Sequence, residues 1–255
     1  MEAVAWHQLG IVYEKAKQWD AAEQAYREAA RIHESQGNLT YASQTWNQLG
    51  TLNQIAGKSE EAEAWYRKAI DGGKTAGDKL GVSKRLNNLA DLLLLQDQPD
   101  CLKEAQQLAE EALAIKQTLD PFAAEIWKIH NTLAKIADKQ QDTNQAKEYR
   151  RLSREAWMGF AGAEYHLQKH WRLIAAVVTG VDDAEVRQQQ EPVLAEWAKA
   201  GWNNLVPAIH QVLEGERDED VLCEQLAGEE AAIINAILRG IADPETLKPL
   251  LEGQE

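Results

Sequence analysis

One short segment of the chain returns at a fixed spacing. Ala5–Gly10 (AWHQLG) recurs forty residues later as Thr45–Gly50 (TWNQLG), and again as Arg85–Ala90 (RLNNLA). A period of this size indicates an array of one repeated supersecondary unit, because such a unit buries its apolar face only against its neighbours. The first functional question is therefore which surface of the array holds a partner.

Each copy contains two helical stripes of apolar and small residues. In the first copy these are Trp6, Leu9, Gly10 and Tyr13, followed by Ala22, Tyr26 and Ala29. The spacings i, i+3, i+4 and i+7 predict one α-helix for each stripe. Gly10 and Ala29 allow two antiparallel helices to approach closely, whereas Trp6 and Tyr26 fill the space between units.

This pattern resembles the tetratricopeptide repeat, in which helix A carries a large residue, Leu, a small residue and Tyr, and helix B carries Ala, an aromatic residue and Ala. The second copy departs from it only at Asn53, and the third has three extra residues around Pro99. The fourth copy is matched by fewer residues, which are His130, Leu133, Ala134 and Ala146. The resemblance implies an all-α, right-handed solenoid of four helix pairs whose A helices line the concave side.

Glycine marks the boundary between copies. Gly37-Asn38 and Gly77-Asp78 combine a residue suited to a helix end with one that can cap the next helix, and Asp120-Pro121 is predicted to do the same. Helix B is expected to end near residues 36, 76 and 118. The predicted repeats are 1–37, 38–77, 78–119 and 120–158, within a repeat domain spanning 1–158.

These repeats are longer than the usual period of about 34 residues. They resemble the long tetratricopeptide arrays of cyanobacterial STAND-type signalling proteins. Residues 159–255 do not repeat and are predicted to form a separate C-terminal helical module. In that module we expect one helix from Gly162 to Thr179, a cap at Asp182 and a last short helix starting at Asp243-Pro244.

Composition limits the classes of partner. The net charge is −14, with 20 Lys and Arg against 23 Asp and Glu in residues 1–160 and 7 against 18 in the remainder. An acidic tail argues against binding nucleic acid or anionic lipid. No apolar run approaches the roughly 18 residues that a membrane span needs. The two cysteines, Cys101 and Cys223, are expected to be reduced thiols in a cytoplasmic protein.

No motif predicts catalysis, a cofactor or a metal. Gly72–Thr75 contains only the end of a phosphate-binding loop and is interpreted as part of helix B. His166 and His170 have the i, i+4 spacing of zinc ligands but no evident third ligand, so packing or surface roles are favoured.

The predicted binding site is the groove along the A helices. The residues expected to line it are His7, Gln44, Asn47, Thr51, Lys84, Asn87, Asp91, Lys128, Asn131 and Lys135. Asn47, Asn87 and Asn131 form a row of amides that can pair with the backbone of an extended peptide. The lysines add positive charge that favours acidic groups.

The function predicted from the sequence is that of a non-enzymatic module that binds a protein or peptide segment, as part of a larger signalling protein. A self-associating scaffold and an enzyme with its site in the helical tail remain as alternatives. Because no polar cap precedes the first repeat, we expect further repeats before Met1 and an open apolar face, including Val4 and Ile11, that supports self-association.

Overall fold

Helices form all of the regular secondary structure in the part of the chain that the computed structural model describes, which comprises residues 2–96, 98–119, 125–159, 163–226 and 228–248. Contacts between residues divide the chain into two compact units. Unit 1 consists of residues 1–120 and 135–141, and unit 2 of residues 121–134 and 142–255. The predicted division at residue 158 stays a prediction.

Unit 1 is built from three antiparallel helix pairs. Their helices are α1 (Glu2–Lys15), α2 (Trp19–Ser35), α3 (Leu39–Ile55), α4 (Ser59–Ala76), α5 (Lys79–Gln96) and α6 (Pro99–Gln117). Within each pair helix A packs on helix B, and α2 packs on α3 as α4 does on α5. This arrangement confirms the predicted all-α solenoid for the first three copies.

The same glycine turn joins the first copy to the second and the second copy to the third. Gly37 and Gly77 have φ values of 67° and 71°, a left-handed conformation that glycine adopts without strain. The predicted helix ends are confirmed at Ser35, Ala76 and Gln117. Asp78 caps α5 by accepting a hydrogen bond from the Gly81 N–H at 2.9 Å.

The capping predicted at Asn38 is not observed as it is at Asp78, and the capping predicted at Asp120-Pro121 is not tested. The side chain of Asn38 makes no capping hydrogen bond, so the prediction that it caps α3 is wrong. Backbone bonds close the turn instead, because the Asn38 N–H donates to the His33 carbonyl at 2.9 Å. Asp120-Pro121 lies outside the described residues.

The close approach inside each pair depends on glycine facing tyrosine. A Cβ atom added at Gly10 would lie 2.5 Å from the Tyr26 ring, and one at Gly50 would lie 2.6 Å from the Tyr66 ring. Both tyrosines are almost completely buried. Each hydroxyl then donates to the same position of its own helix A, to Glu14 at 2.7 Å and to Gln54 at 2.8 Å.

The junction between successive copies is sealed by helix A. Leu49 and Leu52 of the second copy and Leu89 and Leu92 of the third are all at most 3% exposed. The corresponding Val12 of the first copy is 59% exposed. This difference follows from position, since no described residue precedes α1 to cover it.

Unit 2 is organised around one apolar helix. Its elements are most of α7 (Ile126–Lys139), α8 (Thr143–Met158), α9 (Ala163–Lys169), α10 (Trp171–Gly180), α11 (Ala184–Lys199), α12 (Leu205–Leu213), α13 (Glu219–Leu222), α14 (Glu229–Ala242) and the 3₁₀ turn Pro244–Leu247. α14 contacts α8, α9, α10, α12 and α13 within this unit. Its Ile233, Ile234 and Ile237 are fully buried.

Three predictions for this region have different outcomes. The single helix expected from residue 162 to 179 is wrong, because the chain breaks at His170, which packs edge-on against Trp197 and Trp202. The cap falls on Asp183 rather than Asp182, since Asp183 accepts from the Glu185 N–H at 2.9 Å. Asp243 caps the final turn as predicted.

Substitution of Trp46 tests the repeat register. This side chain is 3% exposed and belongs to a core cluster with Ala22 and Tyr26 of the first copy. We expect Trp46→Ala to lower the free energy of unfolding by about 3–5 kcal/mol, as large-to-small core changes do. Urea denaturation measures this, with Trp19→Ala, at a 38% exposed tryptophan, as the control. Equal losses for the two variants would contradict the register.

Candidate functional site

Four of the predicted groove residues meet at one cavity of unit 1. His7, Gln44, Asn47 and Lys84 line a cavity of about 370 Å³ between α3 and α5, which we call the second cavity. Gln48, Asp78, Leu80, Gly81 and Arg85 complete its lining. The A helices therefore bring these residues of three different copies to one place, and their role in binding stays a prediction.

A smaller cavity lies one repeat earlier. The first cavity, of about 130 Å³, is lined by Val4, His7, Gln8, His33, Tyr41, Gln44 and Thr45. Forty residues further on, Gln44, Asn47, Gln48, Gly81, Lys84 and Arg85 line the second cavity. The two cavities are thus the same feature repeated with the period of the sequence, and they share His7 and Gln44.

The size difference between the cavities has a local cause. In the first, His33 and Tyr41 stack with ring centroids 5.4 Å apart. Forty residues further on, glycine stands at both positions, Gly73 and Gly81, and the Arg85 side chain lies close to both. A Cβ atom at either glycine would lie within 2.6 Å of Arg85 Nη1.

Sequence reasoning missed the ion pair in the second cavity. Arg85 is 3% exposed and its Nη2 lies 3.1 Å from Asp78 Oδ2. Burial lowers the pKa of Arg85, and the adjacent Asp78 carboxylate opposes that shift. The signal that would have found the pair is the coincidence of two glycines and a new arginine where the first copy has His33, Tyr41 and Thr45.

The predicted amide row has partners within the chain. Asn47 Oδ1 accepts from Asn88 Nδ2 at 3.0 Å, and Asn87 Nδ2 donates to Asp91 Oδ2 at 3.2 Å. Thr51 Oγ1 lies 3.2 Å from the Asn47 carbonyl oxygen, to which it donates. Neither Asn87, Asp91 nor Thr51 lines the two cavities.

The remaining predicted site residues belong to α7. Lys128 forms an ion pair with Glu125 and lies over the Trp127 ring, 5.2 Å from its centroid. Asn131 is half-buried and Lys135 is exposed. Lys128 and Asn131 fall in unit 2, so their participation in the groove of unit 1 stays a prediction.

His7 is held between both cavities by polar and ring contacts. Its Nδ1 lies 3.0 Å from Thr45 Oγ1, and its ring centroid lies 5.4 Å from that of Tyr26. Burial lowers the pKa of His7, the nearby His33 lowers it further, and Glu14 opposes the shift. Burial also lowers the pKa of His33.

The structure places the two sequence motifs considered for phosphate or metal binding among packing and ion-pair contacts. Gly72 lies inside α4 with the Trp46 ring where a Cβ would be, at 2.6 Å, so Gly72–Thr75 is helix as interpreted. His166 Nδ1 and His170 Nε2 lie 3.2 and 2.9 Å from Glu229 Oε1. No group of three or more His, Cys, Asp or Glu residues could hold a metal ion in the described ranges.

The cysteines are both free thiols. Burial raises the pKa of Cys223 to about 12, so this sulfur is a protonated core group at neutral pH. A search of the described helices finds none that is long and apolar enough to cross a membrane.

Comparisons with known proteins agree with the repeat geometry. Residues 1–75 and 41–118 each match the model of the tetratricopeptide repeat family. Such repeats generally mediate protein–protein interaction and are typically not catalytic.

Among solved structures, the chain is similar to the crystal structure of BtubC (BKLC) from P. vanneervenii, with 21% sequence identity and a TM-score of 0.53. The similarity covers 60% of this chain and 62% of the other, and at this identity it shows the fold alone. The search of curated proteins gave no match.

The buried histidines predict how stability depends on pH. A group whose pKa is lowered by folding stabilises the protein fully above its unfolded pKa of about 6.5, and this contribution is lost as pH falls. We therefore expect the free energy of unfolding to decrease from pH 7 to pH 5. In urea titrations the pH slope should be smaller for His33→Leu than for the wild type. Equal slopes would contradict the role of His33.

Proposed function

We propose that the chain is a non-catalytic module that binds an extended protein or peptide segment along the A helices of unit 1. The observation that carries the proposal is the pair of adjoining cavities, which repeat with the sequence period and share His7 and Gln44. A surface that repeats along a solenoid suits a ligand that also repeats, such as a peptide backbone.

The composition of the groove supports binding to backbone groups. Gln44 is exposed and Asn47 is half-buried, and each amide carries both donors and an acceptor. The side-chain oxygen of Asn47 accepts from Asn88, which fixes the amide in one orientation. An amide held in this way binds without losing further side-chain freedom.

The charge of the groove supports modest selectivity. Lys84 is exposed at the second cavity, whereas the Asp78–Arg85 pair nearby is neutral as a whole. A partner segment with an acidic group next to Lys84 gains a favourable interaction there. A role as the partner-sensing part of a larger, cytoplasmic signalling protein belongs to the same proposal and rests on the sequence resemblance.

A displayed library of random twelve-residue peptides, selected on the full chain, tests the groove. We expect peptides that bind the wild type and bind Gln44→Ala/Asn47→Ala about fivefold to thirtyfold more weakly, since each lost hydrogen bond contributes about 1 kcal/mol. Fluorescence anisotropy of the synthesised peptides measures the change.

Two controls make this test specific. Glu60→Ala changes an exposed residue of helix α4 that lines neither cavity and should leave the affinity unchanged. Circular dichroism should show the same helical content for all variants. Peptides that bind the double variant as tightly as the wild type would contradict binding in the groove.

Self-association through the first repeat is a second candidate, favoured by the exposed face of α1. Val4, which the sequence predicts on this face, is 48% exposed, and Val12, which it does not predict there, is 59% exposed. The choice of Ile11 for that face is wrong, because Ile11 packs against the core cluster around Trp46. The apolar side chains available to another copy are therefore Val4 and Val12.

Sedimentation velocity tests the second candidate. We expect the wild type to show association that increases with protein concentration, and Val4→Lys/Val12→Lys to show less, because charge on this face opposes burial. Val193→Lys, at a 48% exposed position in unit 2, is the matched control. A monomeric wild type at high concentration would rule out the scaffold.

A further inference from the structure

The first cavity is lined by a histidine with an unpaired ring nitrogen. His33 is 4% exposed, and its buried Nδ1 has no hydrogen-bond partner among the described residues. Buried polar atoms are usually paired, so an unpaired one beside a cavity indicates a place where a ligand or water completes the bonding. His7, which lines the same cavity, has one ring nitrogen engaged by Thr45.

The hydrogen-bond network fixes the tautomer of His7. A threonine hydroxyl has one proton, and Thr45 Oγ1 donates it to the Tyr41 carbonyl oxygen at 2.9 Å. Thr45 Oγ1 must therefore accept in its 3.0 Å contact with His7 Nδ1. The proton of the neutral His7 ring thus lies on Nδ1, and Nε2 carries a lone pair.

The surroundings of His7 keep it neutral at pH 7. The carboxylate of Glu14, on the same helix as His7, raises the pKa of His7. Glu14 also accepts a hydrogen bond from Tyr26 of α2. His33 of α2 acts in the opposite direction, and burial has the largest effect, so the pKa of His7 is lowered. Tyr41 of α3 completes the titratable groups at the first cavity. At the second, the capping residue Asp78 and, within α5, Lys84 and Arg85 are added.

The dimensions of the first cavity limit its occupant. Its volume of about 130 Å³ is slightly below the roughly 150 Å³ of a cavity that binds benzene, so it holds one small side chain. Val4 and Tyr41, about half exposed, provide apolar contact at the cavity. Burying a charged group here would be costly, because the two histidines that line the cavity are neutral.

We propose that the first cavity binds one small, uncharged side chain of the bound segment, of the serine, threonine or asparagine type, which donates a hydrogen bond to His7 Nε2. This inference rests on the proposed peptide-binding function and specifies which side chain of the bound segment the first cavity selects. A carboxylate has no proton to donate and is rejected at neutral pH. Acidification protonates Nε2, which then donates instead of accepting, and this change favours a carboxylate.

The tautomer itself can be tested without a ligand. A long-range ¹H–¹⁵N correlation spectrum of the full chain at pH 7.5 should show His7 with the proton on Nδ1 and an unprotonated Nε2. A spectrum with the proton on Nε2 would overturn the inference, because the proposed acceptor would be absent.

Peptides selected from the twelve-residue library at pH 7.5 test the selectivity. We expect them to share a serine, threonine or asparagine whose replacement by alanine weakens binding about fivefold to tenfold, and whose replacement by aspartate weakens it more. The preference for this residue over aspartate should decrease as pH is lowered from 7 to 5. Peptides without such a residue, or with an unchanged preference at pH 5, would overturn the inference.

The variant His7→Asn separates this inference from the proposed function. Asn is the residue at the same register in the next two copies, and it does not titrate. We expect about fivefold to tenfold weaker binding and a smaller dependence of the preference on pH, whereas His210→Asn in unit 2 should behave as the wild type. If Gln44→Ala/Asn47→Ala weakens binding but His7→Asn does not, the inference fails and the groove remains. If no peptide is selected, both fail.

Discussion

The contact between a glycine of helix A and a tyrosine of helix B is the constraint on which unit 1 depends. At Gly10 and Gly50 the tyrosine ring occupies the space of a Cβ atom, so any side chain there would push the two helices apart. Because the spacing within a pair fixes where the next pair packs, this contact also sets the separation of the A helices. The cavities between those helices follow from it.

The third copy meets the same constraint with different residues. Ala90 stands where the earlier copies have glycine, Ala109 where they have tyrosine, and both are fully buried. In the third copy, two small alanine side chains thus fill the space that a glycine and a tyrosine fill in the first two copies. The same exchange of volume occurs between copies, where Gly73, Gly81 and Arg85 replace His33, Tyr41 and Thr45. Such exchanges keep the backbone period while changing the side chains that line each cavity, so one scaffold carries different chemistry in successive copies.

The groove combines residues fixed by internal bonds with residues left open. Asn87 is bonded to Asp91 and is 9% exposed, so packing in its own helix accounts for it. Asn47 is oriented by Asn88 yet lines a cavity. His7 has the same position one repeat earlier, where Thr45 orients it. Position in the repeat therefore does not decide the role of a residue; its neighbours across the junction do.

The sequence by itself determined the repeat, the helix pairs, the glycine boundaries and the burial of Trp46, because each of these depends on spacing along one chain. It also placed His7, Gln44, Asn47 and Lys84 in one predicted site, and in the structure these four line one cavity. Only the tertiary structure decided which amides were already bonded, that Arg85 pairs with Asp78 inside a cavity, that Ile11 faces the core and that His170 interrupts a helix. The Asn47–Asn88 bond, the packing of Ile11 and the packing of His170 on two tryptophans depend on side chains far apart in sequence, about which a local pattern has no information. The Asn87–Asp91 and Arg85–Asp78 contacts are closer in sequence, but which side chains pair there depends on burial in the folded chain.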